Sequence, residues 1–198
     1  MAQAQLTFWF DFASTYSYLS ANRIEALARP LGVEITWRPF LLGPIFKAQG
    51  WDSSPFNLYP LKGAYMWRDM ERRASESGLR LVQPDPFPQN SLLASRVALS
   101  ALDTDRGPAF CKAVFAAEFA DGRDIADPET IRLALDRAGL DPAMVDSAQD
   151  PAIKQRLIAM GEEVTAAGLF GAPSFTTGSE LFWGDDRLEQ ALDWAARA

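Results

Sequence analysis

The sequence predicts an α/β fold in which a βαβ unit opens the chain, a ββα unit closes it, and a large all-helical insertion lies between them. Three observations carry this reading. Residues 6–12 are aromatic-rich and apolar, and a helical stretch and a cleanly alternating run at 33–37 follow. Strand signal then all but vanishes until residue 174. It returns as two short runs either side of Gly178-Ser179, with a final helical segment behind them.

Residues 6–12 read as a buried strand and 15–29 as a helix, with Tyr16, Leu19, Arg23 (through its stem), Leu27 and Leu31 near one face, Ile24 beside them, and Gly32 as the stop. Val33 to Trp37 alternates and predicts a half-buried second strand. Strand, helix and strand in this order make parallel pairing the default. A loop rich in Gly, Pro and aromatics is expected from Pro39 to about residue 62. Helical spacing follows over 64–77, and Pro84 to Pro88 is a break. Asn90 or Ser91 can cap a helix over 92–102, and 108–120 carries Phe110, Val114, Phe115 and Phe119 at helical spacing. The pairs Asp127-Pro128, Asp141-Pro142 and Asp150-Pro151 predict three more helix starts. An Asp side chain accepts an orphan N–H, and proline is harmless in a first turn. A hairpin over 174–183 and a helix over 186–197 close the chain. This is the thioredoxin order, with boundaries expected at 1–45 and 170–198 for the two thioredoxin-like parts and 46–169 for the helical insertion.

The composition narrows the chemistry. The 198 residues are 48% hydrophobic, enough for a substantial core. Acids outnumber Lys and Arg by 26 to 19, a net charge of −7, so neither nucleic acid nor an anionic membrane is an expected partner. No apolar run approaches a membrane span, and no basic segment precedes an apolar one, so no signal peptide is expected. There is no histidine, which removes Ser-His and Cys-His nucleophile pairs and every histidine metal ligand. The single cysteine removes dithiol redox chemistry and intrachain disulfides, and suits a cytoplasmic location. No compact acidic cluster marks a metal site.

Ser14 falls in the turn between the first strand and first helix, where a redox cysteine is usual in this fold order. Read locally, Ser14 is a helix N-cap, Asp185 and Asp186 are acids at a helix start, and Gly171-Ala-Pro173 is a rigid loop before a strand. Cys111, on an apolar helical face, reads as core.

The motifs together are more specific. Phe10-Asp-Phe-Ala-Ser14-Thr-Tyr16-Ser-Tyr18, then Arg38-Pro-Phe-Leu-Leu-Gly43-Pro-Ile-Phe-Lys47-Ala-Gln-Gly50-Trp51, Ser54-Pro-Phe-Asn57, Lys62-Gly63, and Gly171-Ala-Pro173-Ser-Phe175 with Phe182-Trp-Gly-Asp185-Asp186-Arg187 occur in order. Over nearly the whole length the chain resembles the 2-hydroxychromene-2-carboxylate isomerases. These group with the kappa-class glutathione transferases among thioredoxin-fold disulfide oxidoreductases. The family reaction interconverts a cyclic hemiketal with trans-o-hydroxybenzylidenepyruvate. Rotation about the conjugated C=C bond becomes easy when a thiolate adds and later leaves, so glutathione acts as a cofactor.

The resemblance implies that Ser14 is catalytic and hydrogen-bonds the glutathione sulfur, helped by the start of the helix at Thr15 and Tyr16. It also implies that Pro173 is a cis-proline, that the Ala172 backbone meets the cysteinyl segment, and that Asp185 and Asp186 hold the γ-glutamyl end. Lys47 or Lys62 is expected to meet a carboxylate of substrate or cofactor. Trp51 and Asp52 would border glutathione, while Phe46, Trp51, Tyr65 and Trp67 are candidate walls for an aromatic carboxylate substrate. Two positions depart from the family pattern: Thr15 stands where proline is usual and Asp52 where Asn is common. The resemblance further implies a homodimer. A kappa-like transferase shares most of these residues and is the first alternative; a thioredoxin-fold binding protein without chemistry is the second.

Overall fold

The computed structural model describes residues 4–197. Met1–Gln3 and Ala198 lie outside, and with them the leader reading and the outermost ends of both thioredoxin-like parts. The first apolar run forms β1 (Gln5–Phe10), the helix after it α1 (Thr15–Ala28), and the alternating run β2 (Glu34–Pro39). β1 and β2 pair in parallel, Gln5 opposite Glu34 through Phe10 opposite Pro39. The hairpin β3 (Ser174–Thr177) and β4 (Glu180–Trp183) completes a mixed sheet in the order β2-β1-β3-β4, with β3 antiparallel to both neighbours. Gly178 turns the hairpin at φ 55°, a conformation glycine adopts at little cost.

Between β2 and β3 the chain is helical: α2 (Leu42–Ala48), α3 (Pro55–Leu58), α4 (Pro60–Glu76), α5 (Leu92–Ala101), α6 (Gly107–Phe119), α7 (Pro128–Arg137) and α8 (Pro151–Ala166). A 3-10 turn at Asp185–Arg187 leads into α9 (Leu188–Ala195). All three Asp-Pro pairs start helical segments. The Asp127, Asp141 and Asp150 side chains accept the N–H two residues on, at 3.0, 2.9 and 2.8 Å. The segment behind Asp141 is a 3-10 helix, Pro142–Gln149.

Two expectations change. The segment from 39 to 62 is not all loop: α2 and α3 form there. Pro44 and Pro55 sit in first turns, where a missing N–H leaves no bond unmade. The core face of α1 is Tyr18, Ala21, Ile24 and Ala28 with Leu19, whereas Leu31 is 40% exposed. Arg23 is held by ion pairs rather than by its stem alone. Of the two candidate caps of α5, Asn90 is the one that acts: its Oδ1 accepts Leu92 N–H at 3.0 Å, while Ser91 holds the N-cap position without a capping side-chain bond.

The end of β1 is buried on both faces, which fits its apolar run Phe8-Trp9-Phe10. Leu6, Phe8 and Phe10 join a cluster that includes Ile24 of α1, Val114 and Phe115 of α6 and Leu192 of α9. Trp9, on the opposite face, packs with Phe40, Val164 and Leu169. The insertion therefore shares one continuous core with the sheet, and a deep cleft opens where β1 ends.

Candidate active site

Asp11, Phe12 and Ala13 carry the chain from β1 into α1, and Ser14 is the residue at which the helix begins. Its backbone is extended, at φ −94° and ψ 115°, as an N-cap requires. Ser14 Oγ accepts from Ser17 N–H at 3.2 Å and donates to the Ala172 carbonyl at 3.1 Å. The local capping reading is thus correct, and the hydroxyl also reaches across to the other half of the fold. Ala172-Pro173 is a cis peptide, so the expected cis-proline faces the turn. No acid occupies the first turn of α1 itself, so the N–H groups there meet no carboxylate from their own helix.

Ser14 and Ala172 open onto a cavity of about 1870 Å³. Its walls bring together all the residues singled out from sequence as cofactor-binding: Ser14, Thr15, Tyr16, Lys47, Trp51, Asp52, Ala172, Pro173, Asp185 and Asp186. Lys62 and Phe46 line it too, and Phe46 packs on Trp51 with ring centroids 5.9 Å apart. Tyr65 and Trp67 are not part of this wall. Tyr65 is exposed, and Trp67 packs edge-on against Phe87 at 4.9 Å. Both follow Lys62 on α4, but neither lines the cavity.

Thr15 takes the first helical position without proline. Its hydroxyl donates inward to Met66 Sδ at 3.2 Å, tying α1 to α4. Tyr16 donates to Asp69 at 2.9 Å, and burial followed by that acidic neighbour pushes its phenol further above the usual range. Its oxygen is therefore a neutral donor.

The two acids near the last helix have separate situations. Asp185 is 1% exposed. Its Oδ1 accepts from Ser20 Oγ at 2.6 Å and Arg23 Nε at 3.2 Å, and its Oδ2 pairs with Arg73 of α4. Both oxygens are committed, so the Asp185 carboxylate has no free face for an ammonium group. Asp186 is exposed on the cavity rim, with Arg187 Nη2 at 3.6 Å. Gly184 N–H bonds to Pro173 O at 2.9 Å, fastening this loop to the cis-proline turn.

Several cavity residues carry no role in the sequence reading: Asp11, Asp69, Arg73, and the aromatic pair Phe170 and Trp183, whose rings meet at 4.9 Å. Asp11 alone had a signal, a lone acid ending an apolar strand just before the serine. Gly171 is required by the aromatic pair, since a Cβ there would lie 2.4 Å from Trp183 Nε1.

This geometry defines the class: a thioredoxin fold whose nucleophile position holds a hydroxyl. The chain belongs to the DSBA-like thioredoxin domain family, which it matches over residues 5–194, and within it to the 2-hydroxychromene-2-carboxylate isomerases. It is 30% identical to such an isomerase of Sphingobium xenophagum over 186 residues, covering 93% of this chain and 94% of that one. With the isomerase of Pseudomonas sp. (strain C18) identity is also 30%, covering 91% and 85%. A solved structure of a 2-hydroxychromene-2-carboxylate isomerase superposes with a TM-score of 0.86 at 26% identity, covering 98% of this chain and 95% of that one. The cytosolic disulfide reductase DsbM of Pseudomonas aeruginosa shares the fold, with a TM-score of 0.67 at 16% identity and coverage of 98% and 96%.

Proposed function

We propose that this protein is a glutathione-dependent isomerase that interconverts 2-hydroxychromene-2-carboxylate and trans-o-hydroxybenzylidenepyruvate. The observation that carries the reading is Ser14 Oγ–H, held at the start of α1 and bonded to Ala172 O at the wall of a cavity large enough for a tripeptide and a bicyclic acid. The residues present fit a thiol tripeptide. They offer a hydroxyl donor, an extended backbone beside Pro173, and an exposed carboxylate at Asp186.

Glutathione, when bound, supplies a thiolate that adds to a conjugated enone and leaves again, so that the C=C geometry changes with no net consumption of thiol. Ser14 supports the thiolate by turning its O–H from Ala172 O towards sulfur. Ala172 O is then free to accept a peptide N–H from the cofactor, and one hydrogen bond is exchanged for two. The N-terminus of α1, with no acid in its first turn, acts in the same direction. A serine can donate to sulfur but cannot trap it as a disulfide. Cys111 offers no resolving thiol, because it is fully buried and burial pushes its pKa far up.

Asp186 takes the γ-glutamyl ammonium in this reading, and Asp185 shapes the loop that presents it. Lys47 and Lys62, both on the cavity wall, are the candidate cations for the substrate carboxylate in this reading. Phe46 and Trp51 flank its aromatic ring. A homodimer belongs to the same proposal. The test is a spectrophotometric assay of chromene–benzylidenepyruvate interconversion with and without glutathione. A glutathione-dependent rate with glutathione recovered unchanged is expected. A stable conjugate would indicate a transferase instead, and no glutathione binding at millimolar concentration would contradict both enzyme readings.

A further inference from the structure

The Asp11 carboxyl is only 3% exposed, lies three residues before Ser14, and has backbone amides and a hydroxyl around it rather than a cation. Its Oδ1 accepts Ala13 N–H at 3.0 Å, and its Oδ2 accepts Leu42 N–H at 2.7 Å. The Ser91 side chain, at the start of α5, also faces it. Its main-chain carbonyl accepts Ser14 N–H at 3.0 Å. One residue therefore holds two amides of the active turn, Ala13 and Ser14, and the first amide of α2. That amide needs a partner, because Leu41 at the N-cap of α2 has no side-chain oxygen to offer. The next turns of α2 carry Phe46 and Lys47, with Trp51 just beyond.

We propose that Asp11 is the positioning residue of this site. By bridging Ala13 N–H and Leu42 N–H, its carboxylate sets Ser14 in register with the α2 wall and so controls how well Ser14 stabilises a bound thiolate. The claim rests on the cavity being a glutathione site. Asp11 acts through the turn and not on the ligand, since its oxygens are committed to backbone donors.

Three variants test it. Asp11→Ala removes both bonds, and Asp11→Asn keeps one acceptor oxygen. Leu42→Pro removes one donor while leaving Asp11 intact. Proline suits that first helical position because Leu41 is extended, at φ −111° and ψ 124°. Two readouts are needed: the thiolate absorbance of bound glutathione against pH, and amide hydrogen exchange at Ala13. In Asp11→Ala the thiol pKa should rise by about one unit, so that the thiolate fraction at pH 7 falls by up to about tenfold, with glutathione affinity within about threefold. Asp11→Asn and Leu42→Pro should fall between it and the wild type. Ala13 N–H should lose protection in Asp11→Ala. An unchanged thiolate fraction in these variants would overturn the proposal, whether or not Ala13 exchange changes. If Asp11→Ala does not fold, the other two variants decide. A wild-type protein that binds no glutathione would overturn the functional reading instead. Ala13 exchange in Asp11→Ala would then decide the clasp alone, unchanged protection contradicting it.

Discussion

Glu118 of α6 is a carboxyl with no solvent exposure and no hydrogen-bond partner on either oxygen. Burial, then the charges of Asp11 and Asp124, push its pKa well above the usual carboxylate range. The sign of its effect on stability follows. Below the ordinary Glu pKa both folded and unfolded chains hold the proton, and Glu118 contributes no pH dependence. Above it the unfolded chain ionises while the native protein keeps the proton. Stability then falls by up to about 1.4 kcal/mol per pH unit until the native group itself titrates. Glu118→Gln should remove that slope, so its advantage over the wild type grows from about pH 5 upwards. Denaturant melts at a series of pH values check this, and parallel curves for the two proteins would contradict it. Asp11, also raised by burial, has the same sign and leaves a residual slope in the variant.

Asp185 matters most at the scale of elements. It joins α1 through Ser20 and Arg23, α4 through Arg73, and the loop after β4 through its own backbone. Arg23 also pairs with Glu189 of α9. Asp185→Asn leaves the Arg73 guanidinium without its acid, and a loss of about 3 kcal/mol is expected, read as a shift in the denaturant midpoint. A loss below about 0.5 kcal/mol would mean that the insertion is anchored elsewhere. None of this was legible in the sequence, because Arg23 and Arg73 lie 162 and 112 residues from Asp185. What could be read was local. The Asp-Pro helix starts need only residues two apart, and the strand alternation at β2 needs only its own side chains. The buried side of α1 departs from the expected face because α6 and α9 both pack on it, so a single apolar stripe does not describe it. In the site, Ser14, Pro173 and the aromatic α2 wall could be read from motif order. Asp11's clasp on Leu42 could not, since it joins a strand end to a helix start 31 residues away.

The whole molecule shares one main cluster, in which Phe10 and Phe12 of the β1 end pack on Phe115 of the insertion at 5.7 and 5.0 Å. Sheet and insertion should therefore unfold together. Tryptophan fluorescence, circular dichroism and alkylation of Cys111, buried in that cluster, should report one coincident denaturant transition. Cys111 becoming reactive well before the other probes change would show that the insertion opens alone. Among the described residues no helix is long and apolar enough to cross a membrane. The walls of the cavity come from both parts of this single core, which is how a hydroxyl at the start of α1 comes to face a turn 158 residues later. Ser14 is the central claim. The direct measurement is the glutathione-dependent isomerisation rate of Ser14→Ala relative to wild type, with a melt confirming that the variant stays folded after losing a cap worth about 1 kcal/mol. A fall in kcat of about 10²-fold with the fold retained is predicted. An unchanged rate would contradict the role given to the hydroxyl.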